Sequence, residues 1–277
     1  TLDKFKKLEG QTSLTIRKNG KIISGYNSDI PLGTGSSFKL FILKTLKDKV
    51  DSGLDSWDKV IYLDKEKFSL PSGVLHTWPD KSPITLATLA NFMISISDNT
   101  ATDTLIYYLG RENIEKNMPE KSLPLLTTLE MFKIKGILEK EQVNEFLGKT
   151  LDEKHKFLAM VDKLAKNKIN FPDKPTMIDK IEWLFTTDEL CKVIETLKGV
   201  PALSINNGIA NQDWDYVGYK GGSEPGVLSM TYLLKKKSTN DIYSLSATIN
   251  NPDKVIDEKK FFQNVSQIVA AIYKGAI

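Results

Sequence analysis

The sequence contains little cysteine, histidine or arginine. Its single cysteine, Cys191, excludes an internal disulfide and a cysteine-rich metal site. The two histidines, His76 and His155, lie in polar segments without an accompanying motif, which argues against a Ser-His-Asp triad and against a zinc site. Because only Arg17 and Arg111 are arginines, bidentate recognition of phosphate groups has little support.

Long apolar runs and a strong excess of one charge are also absent. No apolar run approaches the ~20 residues of a membrane-spanning helix. The 38 basic and 35 acidic residues leave a net charge of +3, which gives no reason to expect nucleic acid or a membrane surface as a partner. A chain of 277 residues is long enough for one large domain or two interleaved lobes with a sizeable core.

Strand patterns occur near both ends of the chain. Alternating residues on either side of Asn19-Gly20 predict a β-hairpin. Three further strands are predicted after residue 200, with a turn over KKKSTND between the last two. An amphipathic helix is predicted to close the chain. In the middle, SPITLATLANFMISIS predicts a helix with Pro83 near its first turn.

This distribution of strands and helices predicts an α+β fold. Residues 1–50 and 200–277 are expected to form an α+β lobe, and residues 51–199 a mostly α-helical lobe. A cleft between two lobes is a common place for a site, so the active site is expected at their junction.

The segment LGTGSSFKLFIL carries a lysine on the apolar face of a predicted helix. Ser36 lies one helical turn before Lys39, so both side chains share a face. The pair is either a serine that caps a helix beside a snorkelling lysine, or a nucleophile beside an activating amine. A second Ser-x-x-Lys pair, Ser56 and Lys59, lies in a polar segment typical of a surface turn.

Two further short motifs follow. Ser97-Asp98-Asn99 lies at a predicted junction of two helices, where helix capping explains part of its composition. Lys220-Gly221-Gly222 is predicted to end a strand, and its glycines allow the backbone of a ligand to approach closely.

The three motifs, in this order, resemble those of the serine β-lactamase and penicillin-binding-protein superfamily, closest to class A β-lactamases and class A-related serine hydrolases. The segments ITLATLANFMISISDNTATDTLIYYLG, YKGGSEPGVLSMTYLL and PSGVL carry the same resemblance. Residues 111–199 match poorly. The resemblance implies a β-lactamase/transpeptidase-like fold, with an antiparallel sheet flanked by N- and C-terminal helices and an inserted all-α lobe.

The resemblance also implies catalytic roles. Ser36 would attack the carbonyl carbon and form an acyl-enzyme. Lys39 would act as a base if its amine is neutral, or by electrostatics if it is charged. Ser97 would carry a proton to the leaving nitrogen. The backbone N–H groups of Ser36 and Ser223 would form the oxyanion hole.

Substrate-binding roles are implied for four residues of the second and third motifs and their surroundings. Asn99 would hold a side-chain amide of the substrate, and Lys220 would attract a carboxylate. Gly222 and Ser223 would contact the substrate along the strand.

The sequence departs from the class A pattern at two points. Gly221 replaces the threonine whose hydroxyl would help to bind a carboxylate, although Ser223 could supply a hydroxyl one place along. The glutamate loop E-x-x-L-N, which supports deacylation in class A enzymes, is missing. Glu120, Glu130 and Glu182 are the candidates for the deacylating base.

The resemblance implies a class A-like β-lactamase that hydrolyses the β-lactam amide bond. The alternatives are a D-Ala-D-Ala peptidase or esterase, and a penicillin-binding sensor that acylates without turnover. We expect a small β-lactam or acyl-peptide substrate, no metal or other cofactor, and a monomer. Although the printed chain opens on TLDKFKKLEG without a signal peptide, the resemblance implies an exported protein, periplasmic or at the cell surface.

Overall fold

The computed structural model describes residues 2–237 and 239–277. Its helices are α1 (Leu2–Lys6), α2 (Lys39–Asp51), α3 (Leu86–Ser95), α4 (Asn99–Leu109), α5 (Arg111–Glu115), α6 (Thr128–Ile137), α7 (Lys140–Gly148), α8 (Leu151–Val161), α9 (Thr187–Glu195) and α10 (Glu258–Lys274). Its strands are β1 (Gln11–Lys18), β2 (Lys21–Tyr26), β3 (Leu32–Gly33), β4 (Val60–Tyr62), β5 (Pro83–Thr85), β6 (Leu184–Phe185), β7 (Tyr216–Glu224), β8 (Val227–Lys235) and β9 (Ile242–Asn250).

The five-stranded antiparallel sheet is built from both ends of the chain, in the order β2-β1-β9-β8-β7. Asn19 and Gly20 both have positive φ, 49° and 80°, as a tight hairpin turn requires, and the predicted hairpin is confirmed. The predicted turn between β8 and β9 includes Ser238, which lies outside the described residues. The α+β class is confirmed, with β7 at one edge of the sheet.

Two buried apolar clusters enclose the sheet. One joins a face of the sheet to the terminal helices α1 and α10; its members include Phe5, Leu14, Leu245, Phe261 and Ile268. The other fills the helical region, including α2; its members include Phe38, Leu43, Met93, Leu105 and Leu190. Helix α9 covers the second face of the sheet, where the Thr187 hydroxyl bonds the hydroxyls of Ser13 and Thr15, each at 2.8 Å.

The predicted start of one helix is wrong. Pro83 belongs to β5, which pairs with β4, and α3 begins only at Leu86. The side chain of Thr85 accepts a hydrogen bond from Thr88 N at 3.1 Å and so caps the helix there.

The predicted strand end at Lys220-Gly221-Gly222 is also wrong. Pairing of β7 with β8 continues through Gly222, opposite Ser229, as far as Glu224, opposite Val227. The turn comes later and uses Gly226, whose φ is +81°. The motif therefore lies inside an edge strand.

No helix within residues 2–237 or 239–277 has both the length and the apolar character needed to cross a membrane.

Candidate active site

Ser36 lies in a 3₁₀ turn, Gly35–Phe38, that leads directly into α2. The backbone of β7 packs directly against this turn. The contact leaves no room for a side chain at Gly35 of the turn or at Gly222 of β7. A Cβ on Gly35 would lie 2.8 Å from Ser223 N, and a Cβ on Gly222 would lie 2.6 Å from Ser36 N. The N–H groups of Ser36 and Ser223 therefore belong to backbone segments in direct contact, which an oxyanion hole made from them would need.

Lys39 is fully buried and does not reach solvent as a snorkelling lysine would. Its Nζ donates to Ser97 O at 2.7 Å, to Ser97 Oγ at 3.1 Å and to Asn99 Oδ1 at 2.8 Å. Burial lowers the pKa of Lys39 to about 7, against the opposing influence of Asp103 and Asp98. At neutral pH a substantial fraction of this amine is therefore unprotonated and able to accept a proton.

Lys220 reaches the same serine from the sheet. Its Nζ donates to Ser97 Oγ at 3.1 Å and also to Gly221 O. Burial, together with the positive charge of Lys39, holds the pKa of Lys220 well below its usual value. The Ser97 hydroxyl is therefore in contact with two buried amines, an arrangement suited to passing a proton.

Ser97 itself has left-handed backbone geometry, with φ of 58°, between α3 and α4. This conformation costs a residue with a Cβ roughly 1–2 kcal/mol, so surrounding contacts must hold it. One of them is a hydrogen bond at 2.7 Å from Ser72 Oγ to Ser97 O.

Asp98 anchors the loop that carries Ser72. Its Oδ1 accepts from Ala101 N at 2.8 Å and caps α4, as its position in the motif predicts. Its Oδ2 accepts from Val74 N at 2.6 Å and Leu75 N at 2.9 Å. The PSGVL segment is thus fixed beside the second motif by the middle residue of that motif.

Asn99 is buried at the first position of α4. Its Oδ1 accepts from Lys39, and its Nδ2 donates to Leu70 O at 3.3 Å. Both ends of this amide are therefore engaged within the protein.

A cavity of about 370 Å³ opens between these elements. Hydroxyl and amide groups line it together with apolar side chains and the edge strand; the lining includes Ser36, Ser72, Ser97, Asn206, Tyr219, Lys220, Gly221, Gly222, Ser223, Met230 and Phe262. Within the described ranges, no aspartate or glutamate lines it. The cavity therefore favours a substrate that carries hydrogen-bond acceptors or negative charge.

The three candidate glutamates lie in different surroundings. Glu120 is exposed on a short turn. Glu130 is buried at the start of α6, where it forms a capping box with Thr127 and an ion pair at 2.5 Å with Arg111. Of the three, only Glu182 contacts the turn that carries Ser36: its Oε1 accepts a hydrogen bond from Gly35 N at 3.2 Å.

Glu182 belongs to a buried ionic cluster. Lys135 of α6 donates to Glu182 Oε2 at 3.3 Å and to Glu224 Oε1 at 2.5 Å. Burial, and next the charge of Glu182, raise the pKa of Glu224 well above its ordinary value. In the parts of the chain that the structure covers, no group of three or more His, Cys, Asp or Glu side chains could hold a metal ion.

Sequence reasoning missed several residues of this site. Tyr219 and Asn206 line the cavity, and Lys135 and Glu224 hold Glu182, but none belongs to a motif. The one available signal was the position of Tyr219, two residues before Gly221, which puts both on one face of a strand.

Comparison with known proteins identifies the family and the fold. Residues 2–169 match the model of the beta-lactamase enzyme family. A β-lactamase from Sphaerobacter thermophilus is 20% identical, with a TM-score of 0.66 over 100% of this chain and 96% of its own. A β-lactamase from Francisella tularensis is 16% identical, with a TM-score of 0.66 over 100% and 98% of the two chains.

A structure of PBP-A is 15% identical, with a TM-score of 0.64 over 98% of this chain and 92% of that one. No curated protein sequence matches the chain. At these identities the solved structures show the fold alone, and the family match covers more than half of the chain. This protein therefore belongs to the beta-lactamase enzyme family and is a β-lactamase-like serine hydrolase, with a fold that it shares with PBP-A.

Proposed function

We propose that the protein hydrolyses β-lactams through an acyl-enzyme on Ser36, as a class A-like β-lactamase. The observation that carries this proposal is the Ser97 hydroxyl, which lies 3.1 Å from both Lys39 Nζ and Lys220 Nζ. Three motifs from distant parts of the sequence thus meet beside one cavity, as acyl transfer with proton relay requires.

In the acylation step, Ser36 Oγ attacks the β-lactam carbonyl carbon and its proton passes to the neutral amine of Lys39. The N–H groups of Ser36 and Ser223 donate to the developing oxyanion. When the carbon–nitrogen bond breaks, the Ser97 hydroxyl gives its proton to the leaving nitrogen and regains one from Lys39. The products of this step are an ester on Ser36 and a neutral lysine.

Release of the acyl group needs a base that activates water. Glu182 is the candidate to substitute first, because its carboxylate contacts the residue before Ser36. The Glu182→Gln variant keeps an acceptor for Gly35 N, and accumulation of the acyl-enzyme in it would support this role. Glu130→Gln is the matched control, since Glu130 is bound to Arg111 instead.

A second candidate function is that of a D-Ala-D-Ala peptidase, an esterase or a penicillin-binding sensor. In each of these a β-lactam would acylate Ser36 but would be released with little turnover. The observation that favours it is the lack of a carboxylate among the described residues that line the cavity. Export and a monomeric state remain predictions under both functions.

The test is intact-protein mass spectrometry at timed intervals after addition of a penicillin, with product formation followed in parallel. A transient adduct with many turnovers supports the β-lactamase, and a stable adduct with about one equivalent consumed supports the second candidate. We expect Ser36→Ala to abolish the adduct. Ser56→Ala, in the exposed Ser-x-x-Lys pair, should leave it unchanged. An adduct that survives Ser36→Ala would contradict both functions.

A further inference from the structure

We propose that the Tyr219 hydroxyl replaces the missing threonine hydroxyl of the third motif and binds the anionic group of the acyl donor. This inference rests on the proposed acyl-enzyme function and adds a specificity-determining residue to it.

The position of the Tyr219 hydroxyl explains why residue 221 is glycine. Tyr219 and Gly221 lie two residues apart on β7, so their side-chain positions share one face. A Cβ on Gly221 would overlap the Tyr219 hydroxyl oxygen and would lie 3.0 Å from ring Cζ. The tyrosine hydroxyl therefore occupies the space where a threonine side chain at residue 221 would begin.

Neighbouring groups fix the Tyr219 ring. It stacks on Tyr232, with ring centroids 4.7 Å apart and an interplanar angle of 29°. The Tyr232 hydroxyl in turn accepts a hydrogen bond at 3.0 Å from Ile209 N. A Cβ on Gly208 would lie 3.0 Å from the Tyr219 ring, so the backbone at Gly208 also packs closely against it. A hydroxyl on a ring held in this way is positioned before a ligand arrives.

The Tyr219 hydroxyl is available to a ligand. Tyr219 lines the cavity beside Lys220, and its hydroxyl makes no hydrogen bond within residues 2–237 and 239–277. Burial raises the pKa of Tyr219 to about 12, so the group remains a hydrogen-bond donor at neutral pH. Because no carboxylate of the described lining competes for it, a carboxylate on the substrate is the group that this donor fits.

The test compares a penicillin, which has a carboxylate, with its methyl ester, which does not. Second-order rate constants for acylation are measured for the wild type, Tyr219→Phe and Ser223→Ala. Since a hydrogen bond to a charged group contributes ~1.5–3 kcal/mol, we expect Tyr219→Phe to slow acylation by the acid about tenfold or more. Acylation by the ester should change less than about twofold. Equal losses for both compounds, or a loss of discrimination only in Ser223→Ala, would overturn the inference.

A rescue experiment separates the hydroxyl from the shape of the ring. Tyr219→Ala removes the group that blocks residue 221, and the double variant Tyr219→Ala, Gly221→Thr restores a hydroxyl there. We expect the double variant to recover part of the preference for the acid that Tyr219→Ala loses. A double variant no better than Tyr219→Ala would count against the inference.

Equilibrium binding to Ser36→Ala keeps this test separate from the proposed function. Suppose that the wild type is not acylated, but that adding Tyr219→Phe to the Ser36→Ala variant weakens binding of the acid and not of the ester. The acyl-enzyme function then fails while the role of Tyr219 stands. If the wild type is acylated and Tyr219→Phe affects acid and ester alike, the role of Tyr219 fails while the function stands.

Discussion

Lys39 donates only to neutral oxygens: a backbone carbonyl, a hydroxyl and a side-chain amide. A carboxylate in direct contact would have fixed its positive charge and removed its use as a base. Asp98 and Asp103 act on Lys39 from a distance, because their oxygens accept backbone N–H groups. The residue-level arrangement therefore keeps the amine buried, fully hydrogen-bonded and easily deprotonated.

The rate of Ser36 acylation should rise as pH increases through about 7. Lys39 has a pKa of about 7, and the proposed acylation step needs its unprotonated form, which predominates above that value. The groups whose charge acts on this amine are Lys220, Asp98 and Asp103. Stopped-flow acylation by a penicillin between about pH 5.5 and 8.5 measures the profile.

The control for this profile is Lys39→Arg, whose guanidinium stays charged throughout the range and should leave acylation slow at every pH. A wild-type rate that falls as pH rises through about 7 would show that Lys39 acts through its charge, and a rate that does not change with pH would contradict the prediction.

At the scale of elements, two aspartates, Asp98 at the N-cap of α4 and Asp103 within that helix, bind backbone N–H groups of two different segments. Asp98 holds Val74 N and Leu75 N of the loop beside the cavity. Asp103, one turn further along, holds Thr128 N at 2.7 Å and Leu129 N at 3.0 Å, at the start of α6. Each carboxylate accepts two backbone N–H groups of a neighbouring segment, but only Asp98 binds the loop beside the cavity.

Asp98→Asn should lower both stability and the acylation rate. The amide replaces one acceptor oxygen by a donor, so at least one backbone N–H loses its partner, at a cost of ~1–3 kcal/mol. Release of the loop should also weaken the hydrogen bond that Ser72 Oγ donates to Ser97 O. Urea unfolding and the acylation rate at about pH 8, where Lys39 is largely unprotonated, measure the two effects.

Asp103→Asn is the matched variant for this comparison. It should lose similar stability while acylation falls much less, because its contacts lie at α6 and not at the loop beside the cavity. If both variants lost acylation equally, the loop anchored by Asp98 would have no special role in the site.

The sequence predicted an element correctly where neighbouring residues alone determine the structure, as a turn or a helix cap does. The hairpin at Asn19-Gly20 needs two positive φ values, which these residues tolerate, and the helix junction at Ser97-Asp98-Asn99 carries its own cap. Pro83 is compatible with both a helix start and an edge strand, and pairing with β4 decided the outcome. The extent of β7 likewise depended on its partner β8, which a local pattern does not reveal.

Across the whole molecule, the buried ionic cluster of Lys135, Glu182 and Glu224 joins the helical region to the edge strand. Lys135 belongs to α6, Glu224 ends β7, and Glu182 accepts a hydrogen bond from Gly35 N, in the turn that carries Ser36. Motifs with known spacing predicted Ser36, Lys39, Ser97 and Lys220 as a group. They could not predict this cluster, since its three members are brought together only by tertiary packing.

Lys135→Met should lower the free energy of unfolding by about 3 kcal/mol or more, because it leaves the buried carboxyl group of Glu182 and the largely buried one of Glu224 without their cation. Urea or thermal unfolding at neutral pH measures the loss. Adding Glu224→Gln to this variant removes one of the two acids and should recover part of the stability. A single variant as stable as the wild type would mean that the cluster does not join these elements energetically.

The overlap between a Cβ at residue 221 and the Tyr219 hydroxyl also limits how this site can evolve. A threonine acquired first at 221 meets the tyrosine, and a small residue acquired first at 219 leaves this face without either hydroxyl. Under the proposed role of Tyr219, each order of substitution passes through a strained or poorly binding ancestor, and we expect the two positions to be epistatic. Related sequences are therefore better recognised by Tyr-Lys-Gly-Gly as a unit than by a lysine-glycine pattern with a freely variable middle residue.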